Sequence, residues 1–82
     1  MKRSRLDILL HKREVLLRKI RAYERVRRAI NELVEGMKDD EYALEALNAI
    51  DRTVFNQMQL MYAGLKRLED EIREVQGGAG RE

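Results

Sequence analysis

The 82-residue chain has no cysteine, no proline and no tryptophan, and only 5% of it is aromatic. Without cysteine, neither a disulfide nor a thiolate-bound metal can staple a small fold, and oligomerisation is the stabilising device left. Without proline, nothing in the chain forbids a helix from propagating. Three tyrosines and one phenylalanine offer little flat surface on which nucleic-acid bases could stack. The longest uncharged run, Thr53 to Leu65, is too short and too rich in Asn and Gln to span a bilayer. The basic start Met1-Lys2-Arg3-Ser4-Arg5 is followed within a few residues by Asp7, His11, Lys12 and Arg13, which leaves no secretory apolar segment. A cytoplasmic protein without a membrane partner is therefore expected.

Catalytic signatures are absent too. There is no glycine-rich phosphate loop, no paired histidines and no nucleophile with a partnered base, so neither an enzyme nor a cofactor is expected. The lone His11 shares a helix face with Asp7 and Glu14, but such a trio lacks the ligand count of a metal centre and reads as a solvated strip.

What the chain does have is charge and apolar periodicity. Charged residues make up 39% and hydrophobic ones 44%. The net charge of +2 hides an asymmetry: residues 1–38 carry twelve bases and five acids, and residues 39–82 carry five bases and ten acids. Two halves of opposite sign neutralise each other when packed together.

The first glycine is Gly36, and the stretch Gly36-Met37-Lys38-Asp39-Asp40 is the one place before the tail where a long helix is punctuated. There Gly36 can adopt a left-handed C-cap and Asp39 or Asp40 can cap the next helix. Ser4, with Asp7 three residues later, is an N-terminal cap. The reading is one all-α domain over residues 1–76: helix 1 from about 5 to 35, a turn at 36–40, helix 2 from about 41 to 76, and a flexible tail at 77–82.

Heptads give the register. With Leu6 at position a, the helix 1 seam is Leu6, Leu9, Leu16, Ile20, Tyr23, Ile30, Val34 and Met37, broken by Arg13 and Arg27. The helix 2 seam is Leu44, Leu47, Val54, Met58, Met61, Leu65, Leu68, Ile72 and Val75, broken by Asp51. Folding the chain back at residues 38 and 39 pairs positions whose numbers sum to about 77 or 78, which sets Ile20 against Met58 and Arg27 against Asp51. Two charged exceptions falling in one layer read as a structural ion pair that fixes register.

Apolar residues also lie beyond the seam. Ile8, Leu10, Val15, Leu17, Phe55, Leu60 and Tyr62 would face water in an isolated hairpin, and Ala46, Ala49, Thr53, Asn56 and Ala63 leave room for another helix to approach closely. The expectation is an antiparallel two-helix hairpin that dimerises into a four-helix bundle, those seven large residues forming the dimer or partner face. Such a protein acts as an adaptor, small regulator, chaperone or assembly subunit, bound to itself or to a protein partner. A second pattern, Arg18, Arg21, Arg25 and Arg28 at helical spacing on helix 1, points to the alternative of a nucleic-acid-binding homodimer. Against it stand Glu14, Glu24 and Glu32, placed to pair with that stripe as an ordinary solvated surface.

Overall fold

A computed structural model of the chain describes residues 4–80, and these form two helices, α1 (Arg5–Gly36) and α2 (Glu41–Gly80). Local chemistry sets where each begins. Ser4 has extended backbone angles, and its hydroxyl accepts the Asp7 N–H at 3.1 Å, satisfying one of the amides that open α1. At the second start Asp40, rather than Asp39, is the cap: its Oδ1 accepts the Ala43 N–H at 3.0 Å.

The first helix closes differently from the sequence expectation. It runs one residue further, through Gly36, and no glycine in the described residues has a positive φ. The cap is Met37, at φ −120° and ψ 25°, whose N–H reaches the Val34 carbonyl at 3.2 Å. A tightened i→i+3 turn thus does the work expected of a left-handed glycine, and the Asp40 N–H on the Met37 carbonyl at 3.0 Å completes the corner.

Helix α2 likewise continues past Gln76 to Gly80, so positions 77–80 of the expected tail are helical. Glycine weakens a helix by about 1 kcal/mol relative to alanine but does not forbid it, and a long preceding helix has already met the cost of nucleation. Residues 1–3 of the expected domain, and 81–82 of the expected tail, lie outside the described residues.

The helices pack along each other into a rod of 64 × 22 × 15 Å. Its core is a single line of side chains: Leu9, Ile20 and Ile30 from α1, Met58 and Ile72 from α2. The rest of both seams is half-buried, apart from the exposed Met37 and Arg13, and among the described residues no side chain is completely enclosed. Two helices alone cannot surround anything, which is why the interior is thin.

The oppositely charged halves meet across this line. Arg5 approaches Glu71 and Arg13 approaches Glu69, each at 3.9 Å, both pairs exposed and of small energetic weight. Arg13, the seam exception without an expected partner, thereby finds one.

Candidate interaction surface

Among the described residues the Arg27–Asp51 layer is the ion pair joined by two hydrogen bonds between the helices. Arg27 donates Nε to Asp51 Oδ1 at 3.0 Å and Nη2 to Oδ2 at 3.2 Å, a bidentate fork that a lysine could not make. The pair is partly covered, with side-chain exposures of 34% and 26%. Asp51 holds the guanidinium above its ordinary pKa mainly through this hydrogen bond, partly opposed by desolvation. The same guanidinium lies over the Phe55 ring, 5.0 Å from its centre. Two turns along α2 from Phe55, the Tyr62 hydroxyl donates to Glu24 Oε1 at 3.0 Å, and that bond, more than burial, raises the tyrosine above its ordinary 10.0.

These contacts define one flank of the hairpin. The helical period puts Leu10, Leu17, Phe55 and Tyr62 on it, beside Glu24, Arg27 and Asp51. Leu17 is half-buried against the neighbouring helix, while Leu10, Phe55 and Tyr62 remain exposed.

The opposite flank carries the Arg5–Glu71 contact and the place where Gly64 faces Leu16, a Cβ there lying 3.7 Å from Leu16 Cδ2. By the same period it holds Ile8, Val15, Ala22, Val26, Ala29 and Leu33 from α1. From α2 it holds Ala43, Ala46, Ile50, Thr53, Gln57, Leu60 and Gly64. Lys19 is its one charged residue between Val15 and Leu33 on α1, and on α2 it has none from Ala43 to Gly64. Leu60 is 67% exposed, Ile50 51%, and Val26 and Leu33 47% each. Thr53 turns its hydroxyl back to the Ala49 carbonyl at 3.1 Å, so even this polar side chain is spent within its own helix.

The seven apolar residues expected to form one face are therefore divided. Ile8, Val15 and Leu60 lie on the open flank, and Leu10, Leu17, Phe55 and Tyr62 on the flank carrying the polar contacts. The reason is the antiparallel pairing: residues beside the seam on one side of α1 meet only those on the same side of α2. The open flank also holds Val26, Leu33 and Ile50, which the sequence expectation does not include. Each sits one place to the side of a seam position, at the heptad's g position, and carrying the heptad outward from the seam on both helices would have found them.

Two open grooves follow this division. One is lined by His11, Lys12, Val15, Leu16, Lys19 and Leu68 on the open flank. The other lies on the opposite flank between Arg27, Asn48, Asp51, Arg52 and Phe55.

In the arginine stripe, Arg18 pairs with Glu14 at 3.1 Å. Arg21, Arg25 and Arg28 make no ion pair among the described residues. The expected pairing of Glu24 with Arg21 and Arg28 does not form among the described residues, and Glu24 receives the Tyr62 hydroxyl. Glu32 makes no pair with Arg28 either. Among the described residues no three His, Cys, Asp or Glu side chains gather as a metal site, Asp7, His11 and Glu14 included. No helix in them is long and apolar enough to cross a membrane.

Comparison of the chain with protein families, curated proteins and solved structures finds no match. What its geometry defines is a class, the long antiparallel helical hairpin.

Proposed function

We propose that this chain is a non-enzymatic helical interaction module, cytoplasmic in setting, that works through self-association and protein partner binding as an adaptor, small regulator, chaperone or assembly subunit. The observation that supports the reading is the open flank: large aliphatic side chains interleaved with alanine, glycine and threonine along both helices, almost without charge. A contiguous apolar strip of this kind on a small protein marks a surface that another molecule covers. The hairpin's thin interior adds to the case, since a second layer would bury what two helices leave exposed.

The test is affinity purification from native cells, comparing the wild-type chain with a variant carrying Ile50→Glu and Leu60→Glu. Recovery of a second copy or of a defined protein with the wild type, lost with the variant, is the expected outcome. Equal recovery from both would refute the reading.

A second reading has one observation in its favour, the three arginines without ion pairs. Arg18, Arg21, Arg25 and Arg28 span about 15 Å of helix and could grip phosphates of a nucleic acid. Binding to generic duplex and single strands at low and moderate salt, compared with the variant in which all four become glutamine, decides it. A salt-steep signal lost in the variant is what this reading requires.

A further inference from the structure

We infer that the open flank seats a second copy of this chain in an antiparallel arrangement, the turn of one hairpin lying beside the chain ends of the other. This rests on the interaction-module reading and commits it to one occupant and one geometry.

The area is of the right size. From Ile8 to Leu33 the strip is about 38 Å long, and two helices side by side are about 20 Å wide. That gives roughly 750 Å² for each copy, close to the ~800 Å² per partner of a standard stable interface.

Charge selects the orientation. The turn end is acidic: residues 32–45 hold six acids and one base, Lys38. The other end is basic on α1, where residues 4–19 hold five bases and two acids, and nearly neutral on α2, where residues 58–76 hold three bases and four acids. A parallel pair would bring two acidic turns together. An antiparallel pair separates them and sets each beside the Arg5–Lys19 segment of the other copy.

Side-chain size fits the same choice. A two-fold axis at Ala22 on α1, near the middle of the strip, crosses α2 level with position 55, between Thr53 and Gln57 of the flank, so no large aliphatic side chain sits on the axis. About that axis position 15 of one copy faces position 29 of the other, laying Val15 over Ala29. Position 12 is level with position 32, so Lys12 at the flank lies within side-chain reach of Glu32 on the adjoining outer face of the other copy. On α2 position 46 faces position 64, an alanine against a glycine, and position 50 faces position 60, Ile50 against Leu60. Bulky pairs alternate with small ones, as interdigitating helix layers require.

The experiment combines solution mass with an intermolecular distance. Because the chain has no cysteine, Lys38→Cys introduces a single attachment point for a spin label at the exposed turn. The expected result is a dimer whose two turn labels are about 48 Å apart, twice the ~24 Å from Ala22 to the turn at helical rise. The Ile50→Glu, Leu60→Glu variant is expected to weaken the dimer at least a hundredfold while keeping its helical circular dichroism. If that variant does not fold, the label distance in the otherwise native chain still decides. Labels within ~20 Å, about two helix diameters, would overturn the antiparallel geometry and leave the module reading intact. A dimer unaffected in the folded variant would overturn the choice of flank. A monomer throughout the micromolar range would overturn the second copy as occupant, and purification from cells would then judge the module reading by itself.

Discussion

Among the described residues the open flank exposes Ile8, Val15, Val26, Leu33, Ile50 and Leu60, the other only Leu10, Phe55 and Tyr62, and the two flanks treat these side chains differently. On one, Phe55 lies under the Arg27 guanidinium and the Tyr62 hydroxyl is held by Glu24, so apolar bodies are bordered by polar groups from the same chain. On the other, Val26, Leu33, Ile50 and Leu60 stand between 47% and 67% exposed along a strip whose polar members from Val15 to Leu33 and from Ala43 to Gly64 are Lys19, Thr53 and Gln57. The difference teaches that exposure alone is a weak guide to an interface. A half-exposed aromatic with a cation on its face is already partnered, whereas an aliphatic strip beside alanine and glycine is complete only when another surface closes on it.

Charge placed on the open flank has the largest expected effect. Ile50→Glu with Leu60→Glu is expected to cost self-association about 3 kcal/mol or more, since it buries carboxylates in an apolar interface. Phe55→Glu, on the other flank, is expected to leave the mass in solution unchanged. Equilibrium sedimentation of the two variants checks both, and dissociation by Phe55→Glu would reverse the assignment.

Next in size is the loss of the charged layer. Asp51→Leu leaves Arg27 partly covered without its carboxylate and is expected to lower the melting temperature by several degrees. Arg27→Leu together with Asp51→Leu should recover most of that loss, because two apolar side chains then continue the seam. Thermal unfolding followed by circular dichroism decides, and an unchanged midpoint in the single variant would show that the pair contributes nothing.

Gly36→Ala touches neither flank and serves as a control on the turn. Gly36 is helical, has no positive φ, and has open space where a Cβ would be. The substitution should therefore raise stability by about 0.5–1 kcal/mol. Destabilisation, measured by urea unfolding, would mean that a left-handed cap is needed after all.

The smallest expected effect sharpens the account of the polar flank. Tyr62 is raised above its ordinary 10.0 mainly by the hydrogen bond to Glu24. Its contribution to stability is thus fully present below pH 10 and is lost as pH rises through the higher folded-state value, where the phenolate forms beside a carboxylate. Tyr62→Phe should flatten that part of the stability–pH profile, and identical profiles for both proteins above pH 10 would remove the bond from the account.

Much of this fold is legible in the sequence. The seam positions, the Ser4 cap and the opposition of Arg27 to Asp51 follow from a period and a fold-back point, both of which are properties of the chain alone. The glycines misled because glycine permits a left-handed turn or a frayed end without requiring either, and Gly36 and Gly77 to Gly80 stay helical where no proline or competing contact stops them. The surface was less legible. Asking whether Phe55 and Leu60 lie off the seam does not say on which side, and only the antiparallel pairing of the helices separates them. Glu24 shows a further limit: it bonds Tyr62, thirty-eight positions away, and neither Arg21 nor Arg28 one turn off, a choice that helical spacing does not reveal.

The most direct measurement of the central claim is the mass of the unmodified chain in solution across the micromolar range. The open-flank interface predicts convergence on twice the 9.7 kDa of the single chain, with dissociation on dilution or on placing glutamates at Ile50 and Leu60. A single species of 9.7 kDa at every concentration would contradict it.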